Sequence, residues 1–163
     1  MTLEASEDRL GDQAIEPLLV KLTTNQLAIR WPSLSDGILK GMRVESKDDV
    51  EVVKARLLQS LLRRYLECWV IVDRRNQKKL LGVLTTLFSG DMYVGEKSLI
   101  IYSLYRWERV EHQLWESAIS TLLKYAKAKN CNRVVAYTEL DSVVKLATSL
   151  GARGKTTLLE WEV

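Results

Sequence analysis

The side chains suited to proton chemistry in this chain are His112, Glu96, Glu139 and Tyr137. His112 is the single histidine, and imidazole titrates near neutrality, which suits a general base. It lies between Glu111 and Gln113 in the stretch "YRWERVEHQLWESA" (residues 105–118), where the competing reading is a surface histidine paired with a neighbouring carboxylate. Glu96 and Glu139 stand at the ends of strand-like runs and are the alternative bases, although an exposed carboxylate is the default state of such residues. Tyr137 carries a phenol that could protonate a leaving group, against the common role of a strand tyrosine in a core or rim.

The same stretch raises a second chemistry. The apolar run "SLIIYSLY" (residues 98–105) leads straight into a helical pattern, and the free N–H groups of a first helical turn attract phosphate. Arg106 and Arg109 are the cations at that junction. Glu108, Glu111 and Glu116 oppose them, and no glycine occurs between Gly95 and Gly151. Trp107 and Trp115 fall beside the junction, where they could stack on a base or plug a cleft; Trp31, Trp69 and Trp161 read as core or interface residues. Cys68 and Cys131 are too far apart in sequence for the common zinc or redox spacings and read as buried thiols of a cytoplasmic type of protein, with no metal site expected.

These groups need elements to hold them. The 163 residues suffice for one domain that buries roughly 70% of its unfolded surface. The net charge of +3, from 24 basic and 21 acidic residues, does not indicate an electrostatic nucleic-acid binder. The opening "MTLEASEDRLGDQ" is acidic and polar, unlike a secretory or transit segment, and no apolar run approaches membrane-spanning length. The expectation is a flexible N-terminus over residues 1–16 and a single domain over residues 17–163.

"PLLVKL" (residues 17–22) reads as a first strand, followed by a helical region broken at Pro32 in "WPSLSDG". Val50, Val53, Leu57, Leu61 and Tyr65 recur at helical spacing after "SKDD". "ECWVIVD" and "LLGVLTTLF" make an antiparallel hairpin around the basic tip "RRNQKK", whose Arg74, Arg75, Lys78 and Lys79 read as a solvated turn or a contact for an anion. The long helix of residues 105–129 shows one apolar stripe through Trp107, Val110, Leu114, Ala118, Leu122 and Tyr125, with Asn130 as a left-handed cap. A strand over residues 133–140, a short helix capped by Asp141 and stopped at Gly151, and a last strand "KTTLLEWEV" complete the pattern. The fold class is α/β: a mixed, mostly antiparallel central sheet flanked by helices.

From Trp69 onward this order resembles the GNAT superfamily of acyl-CoA-dependent N-acyltransferases, with "LLGVLTT" similar to its third strand, "SLIIYSLY" to its fourth and "VVKLATSLGAR" to its short helix and glycine turn. The resemblance implies that the strand of residues 99–105 parts from its neighbour and holds the pantetheine arm of acetyl-CoA by its backbone. It also implies a [Q/R]-x-x-G-x-[G/A] loop around the pyrophosphate, where a side chain would block the phosphate. Counted back from Ala126, that loop falls on residues 110–115, which places Val110 at the leading position and Gln113 and Trp115 at the two small ones. The family's leaving-group tyrosine, four residues before the glycine turn, corresponds to Ala147.

Two readings follow from the resemblance. In the first, a degenerate member without bound cofactor serves as a scaffold for self-assembly or a protein partner. Such proteins are often phage-encoded, so the context would be a cytoplasmic or virion-associated phage protein. In the second, an active N-acyltransferase binds acetyl-CoA through Leu104, Tyr105, Arg106, Arg109 and Gln113, with Tyr137 and Glu96 as the catalytic candidates. Neither reading involves a membrane or nucleic acid.

Overall fold

The computed structural model describes residues 17–42, 49–138, 140–154 and 159–163. The expected flexible N-terminus and Glu139 lie outside the described residues. In chain order the elements are β1 (Pro17–Lys21), α1 (Thr24–Met42), α2 (Val50–Leu62), β2 (Glu67–Asp73), β3 (Asn76–Asp91), β4 (Glu96–Arg106), α3 (His112–Ala128), β5 (Arg133–Ala136) and α4 (Asp141–Ser149). The strands form one five-stranded sheet in the order β1-β2-β3-β4-β5, antiparallel throughout except for the parallel pair β4 and β5. The expected mixed, mostly antiparallel α/β sheet is therefore present.

Strand alternation divides the core in two. Cys68, Val70, Val72 and Val83 face α1 and α2, and pack with Leu27, Leu34, Ile38, Leu57 and Leu61. Trp69, Ile71, Leu84 and Leu99 face the other way, onto Ala118, Leu122 and Ala126 of α3. Period two in the strands and period three to four in the helices bring these positions together.

α1 corrects the expected break at Pro32. The helix runs through it, because Leu27, Trp31, Leu34 and Ile38 keep one stripe and Leu34 and Ile38 are fully buried. Burial of that stripe outweighs a mid-helix proline cost of about 3 kcal/mol. At 19 residues α1 is also longer than α3.

α3 begins at His112 rather than near Tyr105. β4 continues through Arg106, and the N–H groups of Trp107 and Glu108 both donate to the Leu81 carbonyl, at 2.9 and 3.4 Å. Strand pairing thus claims residues whose sequence pattern reads as helix. Asn130 takes the expected left-handed conformation, with φ of 61°. Asp141 is the first residue of α4 rather than its cap, which is Leu140. β5 stops at Ala136, and residues 159–163 of the expected last strand form no strand, since no neighbouring edge pairs with them; residues 155–158 lie outside the described set.

Candidate functional site

Where β4 and β5 part, the sheet opens. Pairing runs from Ser98 with Arg133 to Ile101 with Ala136, and beyond it residues 102–106 of β4 have no strand on that side among the described residues. On its other side β4 pairs Ser103 with Thr85 and Ile101 with Thr86, which leaves Tyr102 as an extra, bulged residue. A bulge bends and twists its strand, and here it coincides with the point of separation. The Thr85 and Ser103 hydroxyls hydrogen-bond at 2.6 Å in the buried layer beside it. The result is a wedge whose one wall is a backbone with unpaired N–H and C=O groups.

α1 roofs this wall closely. A Cβ added at Gly41 would lie 2.9 Å from the Leu104 carbonyl carbon and oxygen, and one added at Gly37 would lie 2.5 Å from the Trp107 ring. Two glycines four residues apart, on one helix face, let α1 seat directly on the end of β4. Tyr105 stands edge-on to Trp107 with ring centroids 5.6 Å apart, and the Lys40 ammonium lies 5.5 Å from the Tyr105 centroid. Sequence reading misses this seat: the glycine spacing is its signal, hidden by treating Pro32 as a break.

The floor of the wedge is the loop from β4 to α3. Val110 is 7% exposed, and Trp115 packs against the α3-side core. Glu108 pairs with Lys79 of β3 at 3.2 Å, so the basic hairpin lies beside this loop and neutralises one of its acids. Glu111 occupies the N-cap position with extended backbone and no side-chain cap bond. His112 Nε2 lies 3.3 Å from Glu116 Oε1, both half-exposed. Arg106 and Arg109 are exposed and make no ion pair among the described residues.

The candidate residues divide by position. Leu104, Tyr105 and Arg106 sit on the part of β4 that pairs with β3 but not with β5, with Leu104 turned to the α3-side core and Tyr105 to the α1 side. Arg109 is in the loop and Gln113 in the first turn of α3. Tyr137 follows the last paired residue of β5 and is 74% exposed at the mouth of the wedge. Glu96 is at the opposite end of β4, about 26 Å from Leu104 at ~3.3 Å per residue, and bonds Arg133 at 2.9 Å. Ala147 is on α4 and half-buried.

A second polar cluster lies on the α3 side, about 20 Å along α3 from His112 at ~1.5 Å per residue. Tyr125 donates to the Glu67 carboxylate at 2.7 Å, Lys21 donates to the Tyr125 oxygen at 2.9 Å and pairs with Glu67 at 2.7 Å, and Trp69 Nε1 donates to Thr86 at 2.9 Å. Partial burial works against the Lys21 ammonium, but its bonds to Glu67 and Tyr125 prevail and raise its pKa. Burial raises that of the Tyr125 phenol. The cluster ties β1 and β2 to α3 and is remote from the wedge. Burial also pushes the Cys68 thiol up to about 12, which makes it inert at neutral pH. Among the described residues no group of side chains could hold a metal, and no helix is long and apolar enough to cross a membrane.

No family model matches the chain, and no curated protein matches its sequence. Solved structures do match. A ribosomal-protein-alanine N-acetyltransferase from Brucella melitensis biovar Abortus 2308 superposes with a TM-score of 0.65 at 14% identity, over 91% of this chain and 99% of that one. An aminoglycoside acetyltransferase from an uncultured soil metagenomic sample gives 0.63 at 18%, over 90% and 95%. Glucosamine-6-phosphate N-acetyltransferase from Arabidopsis thaliana gives 0.61 at 14%, over 90% and 98%. With its sheet order, its parted β4 and β5 and these superpositions, the chain has the fold of the GNAT acetyltransferases.

Proposed function

We propose that this chain keeps the acetyltransferase fold as a scaffold for protein assembly and carries out no acyl transfer. The observation behind this reading is the start of α3. A pyrophosphate there needs backbone N–H groups that it can approach, and the segment offers Val110, Gln113 and Trp115 in place of small residues, with Val110 and Trp115 turned into the protein. Glu111, at the N-cap position, adds negative charge at the positive end of the helix dipole, favourable by about 0.3–1 kcal/mol and opposing a second anion. A CoA pyrophosphate does not fit these residues. A phage-encoded, virion-associated context belongs to the same reading and rests on the family resemblance alone.

One observation favours an active N-acyltransferase instead. The wedge at Tyr102 leaves backbone groups of Leu104 and Tyr105 unpaired by β5, as a pantetheine arm would require, and Arg106 and Arg109 stand beside it without carboxylate partners among the described residues. Acetyl-CoA would then lie against Leu104, Tyr105, Arg106, Arg109 and Gln113, with Tyr137 at the mouth. Thiol release from acetyl-CoA, followed with a panel of primary amines and N-terminal peptides, separates the two. Release at the buffer rate with every amine is the expected outcome; protein-dependent release that scales with amine concentration would overturn the scaffold reading.

A further inference from the structure

The basic tip of the β2–β3 hairpin belongs to neither reading of the wedge. Asp73 pairs with Asn76 across the turn, and their side chains fix its shape: Asp73 Oδ1 accepts the Arg75 N–H at 3.0 Å, and Asn76 Oδ1 accepts the Lys78 N–H at 3.3 Å. Residues 74–79, Arg-Arg-Asn-Gln-Lys-Lys, are all exposed, and none of them is apolar.

Folding adds charge to this tip from two other parts of the chain. The Arg30 guanidinium of α1 donates to the Gln77 carbonyl at 3.2 Å, and Arg106 pairs in register with Gly82 of β3, just behind the tip. Arg30, Arg74, Arg75, Lys78, Lys79 and Arg106 thus gather at one end of the sheet. The carboxylates among them are Asp73 and Glu108, the latter held by Lys79, while Arg109 and Glu111 in the adjoining loop offset each other. The positive surplus exceeds the net +3 of the whole chain. Net charge averages over the molecule, whereas an anion meets the local field.

We infer that this end of the sheet binds the phosphate backbone of duplex DNA, with the turn at Arg74 and Arg75 entering the major groove. The chemistry of the tip selects the partner. A protein interface is built round apolar and aromatic side chains, which residues 74–79 lack, whereas DNA interfaces are polar and strongly positive. Single strands are held by aromatic side chains on which bases stack, and the tip has none. The B-form major groove, about 12 Å wide, admits a two-stranded β-ribbon, while the deep, narrow groove of an RNA duplex does not. Between the cations, the exposed Gln77 amide suits a base edge and adds nothing on a charged bilayer. Arg30 and Arg106, behind the turn, meet the flanking phosphates. The inference goes beyond the assembly reading and holds whether or not the chain transfers an acyl group.

Fluorescence anisotropy of a labelled DNA duplex of about 20 base pairs, titrated with the full chain, tests this. The expected result is saturable binding that weakens roughly a hundredfold between about 50 and 200 mM salt, as about four phosphate contacts require. Arg74→Glu combined with Lys78→Glu weakens binding at least about tenfold, with an unchanged far-ultraviolet spectrum. Lys124→Glu combined with Lys127→Glu makes the same change in net charge on the exposed side of α3 and leaves affinity within about twofold. Arg74→Gln alone lowers the slope of log affinity against log salt by about one. No saturable binding at the lower salt, an unchanged slope in Arg74→Gln, or an equal loss in the two double variants overturns the inference. So does equally tight binding of single-stranded or duplex RNA of the same length, of phosphatidylserine vesicles or of polyglutamate.

Discussion

Trp115 and Tyr125 show how single side chains set what this fold can do. Trp115 stands where the resemblance calls for a small residue, and its ring packs into the α3-side core. Trp115→Gly should lower stability by about 3 kcal/mol in urea unfolding, from lost burial plus a helix glycine, without creating affinity for CoA. A variant that kept its stability and bound CoA would show that the ring is only a plug. At Tyr125 the prediction concerns pH. Lys21 and Tyr125 both have raised pKa values in the folded state, so their contribution is fully present below their ordinary values and is lost as pH rises through the raised ones. The stability difference between wild type and Lys21→Met should therefore hold constant up to about pH 10 and shrink above it. A difference that instead disappeared on acidification toward neutral pH would contradict the assignment.

The decisive contact among elements is the seat of α1 on β4. Gly41 meets the backbone at Leu104, which cannot move aside, whereas Gly37 meets the edge of the Trp107 ring. Gly41→Ala should cost about 1–3 kcal/mol by overpacking. Gly37→Ala should cost less than Gly41→Ala, because a side chain can yield. Equal midpoints for the wild type and Gly41→Ala would mean that α1 does not sit on β4. The elements themselves were largely legible: apolar spacing located α2, the β2–β3 hairpin, β4, α3 and α4. Local signals failed where tertiary contact decides. Pro32 reads as a break because its local cost is visible, while the buried Leu34 and Ile38 that outweigh it are not. The first turn assigned to α3 reads as helix because Trp107 and Val110 fit the stripe, and only the Leu81 carbonyl across the strand pair claims it for the sheet.

At the scale of the molecule, the sequence pattern suffices for the GNAT fold, while the wedge depends on register. The bulge at Tyr102 and the early end of β5 place Leu104, Tyr105 and Tyr137 at one end of the sheet and Glu96 at the other. No periodicity predicts that separation, because a one-residue irregularity leaves the apolar pattern on both sides intact. The absence of glycine from the α3 start, by contrast, is plain from the sequence, and it bears most heavily on function. The most direct test of the scaffold account is calorimetric titration of the wild-type protein with acetyl-CoA and CoA, backed by thermal unfolding at high ligand concentration. The account predicts no saturable heat and no shift of the melting midpoint. A site bound at a hundredfold excess over its dissociation constant, adding about 2.7 kcal/mol of stability, would contradict it and make the wedge a cofactor site.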